Sequence, residues 1–292
     1  MRSSAMAGYL LPALLLLTAC QEAPSGAEPA APEARAGEAE DARGGQALPP
    51  RAAAQAPLRV YDAVPVRRFP HERTAFTQGL FFADGALFES TGKRGASRIR
   101  RIDLRTGRAA REAALPDEIF GEGATAVGDR IVSLSWRAGR GFVHDLETLE
   151  REGEFPIEGE GWGLAYDPQA DRLILSDGTP RLRFLDPETY EETGELLVTL
   201  RGEPVPLLNE LEWVEGEIFA NVWQQEAIVR IDPESGEVGG LIDVSALYPA
   251  AMREDPRDDV ANGIAYEPGS GRLFLTGKRW PTLFEVELRE RG

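Results

Sequence analysis

The sequence predicts an all-β protein, a five-bladed β-propeller closed by a strand from the N-terminal side, and three observations lead there. Glycine (31) and proline (21) are abundant among the 292 residues, which favours many turns over long helices. A unit of short apolar strands recurs five times at intervals of 40 to 53 residues. The fifth unit stops one strand short, and an alternating segment ahead of the first unit can supply what it lacks.

Residues 1–20 read as a lipoprotein signal peptide. Arg2 precedes an apolar run, Leu10 to Leu17, that is short for a membrane span, and the run ends in Leu17-Thr18-Ala19-Cys20. That ending resembles a bacterial lipobox, which implies lipidation of Cys20, the one cysteine of the chain. An ordinary secretory signal with an incidental cysteine is the other reading. Residues 21–57 are rich in Ala, Pro, Glu and Gly and nearly devoid of aromatic and β-branched residues, the composition of a disordered tether. The folded domain is expected over 58–292. A lipid on Cys20 would anchor the exported domain to the cell envelope, and Gln21 after it favours the outer membrane and periplasm.

Each unit opens on an inner strand and turns back into a second. The pairs begin at Gln78-Gly79-Leu80, Glu122-Gly123-Ala124, Trp162-Gly163-Leu164, Asn209-Glu210-Leu211 and Asn262-Gly263-Ile264, with openings 44, 40, 47 and 53 positions apart. Short turns at Ala83-Asp84-Gly85, Gly128-Asp129 and Glu215-Gly216, and longer loops at 167–171 and 267–271, are hairpin signals. Third strands follow at Ile99–Asp103, Phe142–Asp145, Leu182–Asp186, Ile228–Asp232 and Leu283–Glu287. Fourth strands are visible at Glu154–Ile157, Leu196–Thr199 and Leu241–Val244. Val60–Phe69 is expected to complete the fifth blade and so close the ring.

Composition excludes several functions. A formal net charge of -17 opposes nucleic acid as a partner and leaves membrane contact to a lipidated Cys20. One cysteine and two histidines are too few for a disulfide framework or a Cys/His zinc site. No P-loop, G-x-S-x-G elbow or dinucleotide fingerprint occurs. His71 and His144 read as surface or packing residues and the acidic run 188–195 as a solvated face.

The repeat also places the chemistry. Inner strands line a propeller's channel, so Gln78, Glu122, Trp162, Asn209 and Asn262 should converge on one mouth. Gly121 and Gly123 would let the backbone turn and present Glu122. Trp136, Trp223 and Lys278 leave the inner hairpins toward the same mouth and would wall a pocket and bring a positive charge. Each residue has a structural reading too. The tryptophans suit a core, Asn209 and Asn262 suit turns or caps, Gln78 suits an inter-blade hydrogen bond, and Glu122 with Lys278 suits an ion pair.

The stretches Phe76-Thr77-Gln78-Gly79-Leu80, Phe120-Gly121-Glu122-Gly123, Ser133-Leu134-Ser135-Trp136 and Glu160-Gly161-Trp162-Gly163-Leu164 resemble the plant and bacterial type of glutaminyl-peptide cyclotransferase. So do Leu208-Asn209-Glu210-Leu211-Glu212, Ala220-Asn221-Val222-Trp223, Ala261-Asn262-Gly263-Ile264-Ala265 and Leu275-Thr276-Gly277-Lys278. The resemblance runs in order from Val64 to Leu288 and implies a five-bladed propeller. It implies conversion of the N-terminal glutamine of peptides or proteins to pyroglutamate with loss of ammonia, an acyl transfer within one molecule. Glu122 would be the general base and acid, with Asn209, Lys278 and Gln78 holding the amide and its oxyanion. Phe76, Phe120, Trp136, Trp162 and Trp223 would form the wall, while Asn262 is assigned to substrate binding from its repeat position. No cofactor is expected for catalysis, room is left for a structural calcium ion, and a monomer is expected. Burial among indoles would raise the proton affinity of Glu122 and a nearby Lys278 would lower it, so the sequence leaves the direction open. Two further classes fit the same positions: a non-catalytic envelope lipoprotein binding peptides or a protein partner, and a calcium-dependent hydrolase using Glu122, Asn209 and Asn262.

Overall fold

The computed structural model describes residues 57–292. The expected signal peptide with Cys20, and all but the last residue of the expected tether, lie outside the described residues.

The first strand, β1 (Arg59–Pro70), precedes five repeating units. Blade 1 is β2 (Thr77–Ala83), β3 (Ala86–Thr91), β4 (Arg98–Asp103) and β5 (Arg108–Ala114), and blade 2 is β6 (Gly121–Val127), β7 (Arg130–Ser135), β8 (Arg140–Asp145) and β9 (Arg151–Pro156). Blade 3 is β10 (Leu164–Asp167), β11 (Arg172–Ser176), β12 (Arg181–Leu185) and β13 (Glu192–Leu197), after which a small hairpin, β14 (Thr199–Leu200) and β15 (Glu203–Pro204), intervenes. Blade 4 is β16 (Leu208–Val214), β17 (Glu217–Val222), β18 (Ala227–Ile231) and β19 (Val238–Asp243). Blade 5 is β20 (Ala261–Glu267), β21 (Arg272–Gly277) and β22 (Thr282–Glu290), completed by β1. The protein is a five-bladed β-propeller, as the repeat predicts.

Local chemistry explains the turns. Asp84-Gly85 and Glu215-Gly216 take positive φ at both positions, as a two-residue type I′ hairpin turn requires. The aspartates that end four of the third strands have a common task. Asp103, Asp145, Asp186 and Asp232 each accept backbone N–H groups just downstream, at 2.8 Å from Arg105, 2.7 Å from Thr148, 2.7 Å from Thr189 and 2.8 Å from Ser235. These Asx turns carry the chain into the fourth strand.

The core is not central. Five apolar clusters lie one between each pair of neighbouring blades, from Phe81, Phe88, Ile131 and Phe142 between blades 1 and 2 to Leu80, Leu87, Phe274 and Leu283 between blades 5 and 1. The inner strands meet in a ring, β2 to β6 to β10 to β16 to β20 and back to β2. β1 closes that ring by pairing antiparallel with β22 from Tyr61↔Glu290 to Pro70↔Thr282. Its first residues also pair in parallel with β19, Arg59↔Gly240 to Asp62↔Asp243, which joins blades 4 and 5 into one eight-stranded sheet and covers the outer edge of blade 4. Arg291 pairs with Asp62 and with Asp243 (2.5 Å) across this seam.

Both histidines are buried, which selects the packing reading over the surface one. His144 sits on β8 with its titration lowered to about 4 by burial and by Arg151. His71 presents Nδ1 to the carbonyl of Trp280 at 2.7 Å and Nε2 to Glu89 at 2.9 Å. Both partners are acceptors, so both ring nitrogens donate and the ring is an imidazolium. Glu89 also accepts from Thr77 (2.7 Å) and Arg100 (3.0 Å). Burial works against both charges, but Glu89 holds the His71 titration above its ordinary 6.5 and His71 with Arg100 holds Glu89 below its ordinary 4.5. The network ties the entry to β2 to the segment carrying Lys278 and Trp280.

The stabilisation from His71 is complete below 6.5 and is lost as pH rises through its raised value; that from Glu89 is complete above 4.5 and is lost on acidification. Denaturant unfolding of the parent should therefore show stability falling as pH climbs above 6.5 and through the raised His71 titration. The His71→Ala variant should be less stable by about 3–5 kcal/mol at pH 6 because Glu89 loses a buried partner, and its stability should no longer fall along that limb.

Candidate active site

The site begins as an irregularity repeated in every blade. The ladder between first and second strands skips at Thr77/Gly79, Gly121/Ala124, Leu208/Leu211 and Ala261/Ile264. In blade 3 the residues Trp162 and Gly163 precede the regular strand, held by Trp162 N–H to Ser176 O (2.8 Å) and Ser176 N–H to Gly163 O (3.1 Å). The residues lifted out are Gln78, Glu122, Trp162, Asn209 and Asn262. A bulge re-aims a side chain that regular pleating would point into an inter-blade layer.

The following residue is usually glycine, for reasons of space. A Cβ on Gly79 would stand 2.6 Å from the Ala124 nitrogen, one on Gly123 2.5 Å from the Leu164 nitrogen, and one on Gly163 would collide with the Asn209 carbonyl. Gly123 N–H donates to Trp162 O at 2.6 Å. Gly121 and Gly123 therefore serve close strand approach; neither takes a positive φ, so the expectation of a tight glycine turn beneath Glu122 is corrected. In blade 4 the place of glycine is taken by Glu210, whose carboxyl reaches across the channel to the N–H groups of Leu80 (3.2 Å) and Ile264 (2.9 Å).

Glu122 is buried (6% exposed) and so is Lys278 (5%). Among the described residues they form no ion pair within 4 Å, which removes the structural ion-pair reading. Desolvation raises the Glu122 titration well above the ordinary 4.5, Lys278 and Lys93 pull it down, and the negative Glu160 adds to the rise. Burial lowers Lys278 to about 8, against the attraction of Glu122 and Asp258. The direction that sequence left open is thus upward for the carboxyl and downward for the lysine, each moved toward its neutral form by burial.

Around them runs an aromatic collar. Phe76 and Phe120 stand edge to face at 6.1 Å, Phe120 and Trp136 at 5.6 Å, and Trp162 and Trp223 at 5.7 Å. Lys278 Nζ lies 5.0 Å from the Phe76 ring centre and Lys93 Nζ 3.7 Å from it. Glycine makes room for two of these rings: a Cβ on Gly178 would meet Trp162 at 2.7 Å, and one on Gly92 would strike Phe120. At the rim Lys93 pairs with Asp258 (3.2 Å), which pairs with Arg279 (3.0 Å).

The polar positions divide. Asn262 is fully buried and donates to Thr77 O (3.0 Å) and to Gln78 Oε1 (3.3 Å), tying blade 5 to blade 1. Gln78 Nε2 is left beside Gly92 and Phe120 at the collar. Asn209 lies beside Gly163 with its Oδ1 buried and unpartnered among the described residues, an arrangement that costs about 1–3 kcal/mol until a donor arrives. Glu160, Lys93, Arg137 and Asp258 are part of the pocket without having been expected. Glu160 bonds Trp162 two residues on, but its other partners, Trp136 and Arg137, come from another blade, which no local pattern reveals.

No group of three or more His, Cys, Asp or Glu among the described residues has the arrangement to hold a metal ion. Glu210 and Glu212, the acidic residues within the channel, are turned to backbone N–H donors, with Glu212 on Tyr266 at 2.9 Å. Glu210 and Glu212 are thereby committed to the backbone of the neighbouring blades rather than to a ligand.

Fold and pocket define a β-propeller whose channel mouth holds a deep carboxyl and a depressed lysine inside an aromatic collar. The chain belongs to the glutamine cyclotransferase family, whose pattern it matches over residues 42–288. It is 42% identical over 228 residues to a glutaminyl-peptide cyclotransferase of Arabidopsis thaliana, covering 77% of this chain and 71% of that one. It is similar to the crystal structure of Myxococcus xanthus glutaminyl cyclase, with a TM-score of 0.77, 41% identity and coverage of 81% of this chain and all of that one.

Lys278→Met keeps the apolar stem and removes the cation that favours the Glu122 carboxylate. The carboxyl band assigned by its absence in Glu122→Gln should then titrate about one unit higher by infrared spectroscopy, without loss of fold.

Proposed function

We propose that this pocket cyclises the N-terminal glutamine of peptides and proteins to pyroglutamate and releases ammonia. The observation that carries the proposal is a desolvated Glu122 with raised proton affinity beside Lys278 in a chain of this family. The substrate supplies both reactants. Its α-ammonium gives a proton to the Glu122 carboxylate, and the freed amine attacks the side-chain amide carbon, forming the ring C–N bond. Glu122 returns its proton to the amide nitrogen as the bond to that nitrogen breaks. The second proton of the ring nitrogen goes to the departing ammonia, which leaves as ammonium. The acyl group has moved from one nitrogen to another, so the reaction class is acyl transfer.

The collar of Phe76, Phe120, Trp136, Trp162 and Trp223 excludes water and presses the chain end into the bent geometry that cyclisation needs. Lys278 and the Gln78 amide face the developing oxyanion, and the unpartnered oxygen of Asn209 accepts from the substrate amide or amine. Asn262 acts through Gln78 by fixing its amide. The residues present supply every proton transfer, so no cofactor or metal enters the scheme. The proposed enzyme works as a monomer, exported and tethered to the envelope through a lipid on Cys20, with extended peptide termini entering at the mouth.

Ammonia release from a glutamine-initiated dipeptide amide tests this reading. The parent should turn over with or without chelator. Its rate should rise with pH as Glu122 loses its proton and fall as Lys278 loses its own near pH 8. Glu122→Gln should lower kcat by about 10²–10⁴-fold with the fold intact. A folded parent that releases no ammonia would refute the proposal.

A further inference from the structure

Glu160 occupies the turn between β9 and β10, and its carboxyl holds both sides of the aromatic collar. Oε2 accepts from Trp136 Nε1 at 2.7 Å and from Trp162 Nε1 at 2.9 Å; Oε1 accepts from Arg137 Nε at 2.6 Å. The two indoles belong to different blades, Trp136 following β7 of blade 2 and Trp162 opening blade 3. Through Phe120 the first leads to Phe76, and the second leads to Trp223. Arg137 stacks on Trp136 at 4.1 Å, so the clamp is closed on its outer side by a cation as well. One oxygen between two indole N–H groups fixes the angle of both rings, since an indole nitrogen has a single proton to direct.

We propose, on the basis of the cyclotransferase reading above, that Glu160 is a positioning residue: it sets the gap between the two halves of the collar and adds a fixed negative charge to the surroundings of Glu122. The geometry gives it two separable effects. Its hydrogen bonds hold the walls that receive the glutamine side chain. Its charge opposes ionisation of Glu122, in the same direction as burial and against Lys278 and Lys93. These three groups, Glu160 from the β9–β10 turn, Lys278 from beyond β21 and Lys93 from beyond β3, are the charged groups that bear on Glu122; β6 itself carries no other ionisable side chain. The carboxyl of Glu160 stays ionised. Burial would raise its titration, but the N–H groups of Trp162, Arg137 and Trp136 together lower it.

The test compares Glu160→Gln and Glu160→Ala with the parent in ammonia release across pH. The glutamine variant keeps an oxygen for the indoles and removes the charge. Its acid limb in kcat should move to lower pH by about one unit while the limb near pH 8 stays in place. The alanine variant should show the same displaced limb and, with both indoles released, a KM raised by about tenfold. An acid limb unmoved in both variants, or an alanine variant with the parent's KM, would overturn the proposal. A parent without turnover would defeat the cyclotransferase reading instead. In that case near-ultraviolet circular dichroism still decides the clamp, with the tryptophan signal retained in Glu160→Gln and altered in Glu160→Ala if it exists, and the same in both if it does not.

Discussion

Five inner strands meet in a ring so tight that a β-carbon at Gly79, Gly123 or Gly163 would drive into the backbone of the next blade. That closeness dictates much of what surrounds it. Each first strand must shed its regular register where it enters the channel, and the residue ahead of the glycine is pushed out of the ladder. Because the blades are copies, the five extruded residues arrive at one place. The ring in turn depends on β1, which pairs with β22 and with β19 and leaves neither blade 4 nor blade 5 with an open edge. Chain closure, channel width and site geometry are therefore one constraint seen at three radii.

The same constraint accounts for the electrostatics. A ring of packed strands with aromatic walls takes Glu122 and Lys278 out of water, and each moves toward its neutral form. A carboxyl whose proton affinity is raised in this way is a better proton acceptor than an exposed glutamate. Deeper in the channel Glu210 and Glu212 are also desolvated, but their oxygens are occupied by backbone N–H groups of blades 1 and 5. Burial alone thus does not separate a reactive carboxyl from a structural one. What distinguishes Glu122 is that its oxygens have no hydrogen-bond partner among the described residues and that a lysine stands nearby.

Much of this was legible in the sequence because propellers repeat. The interval between Gln78, Glu122, Trp162, Asn209 and Asn262 locates the inner strands, and the absent fourth strand of the last unit points to Val60–Phe69 as its completion. The aspartate at the end of four of the third strands was visible as a pattern, and its reason, an Asx turn, appears only in the hydrogen bonds. Other features were out of reach for a physical reason: they are contacts between blades. Glu160 on two indoles, His71 against Glu89 and Trp280, and the parallel pairing of β1 with β19 join positions 2 to 209 residues apart with no common local signature. The glycines at 121 and 123 were read as turn formers although their role is clearance, a distinction that requires knowing what lies opposite.

The central claim is that ring closure assembles a pocket in which the chain end of the substrate meets Glu122. A crystal structure of the Glu122→Gln variant soaked with a glutamine-initiated tripeptide tests it most directly. The account predicts the glutamine side chain inside the collar of Phe76, Phe120, Trp136, Trp162 and Trp223, its amide facing Gln78, Asn209 and Lys278. The α-amine should lie within about 3.2 Å of the side chain at position 122. A peptide bound elsewhere on the propeller, or seated in the collar with its amine turned away from that position, would contradict it.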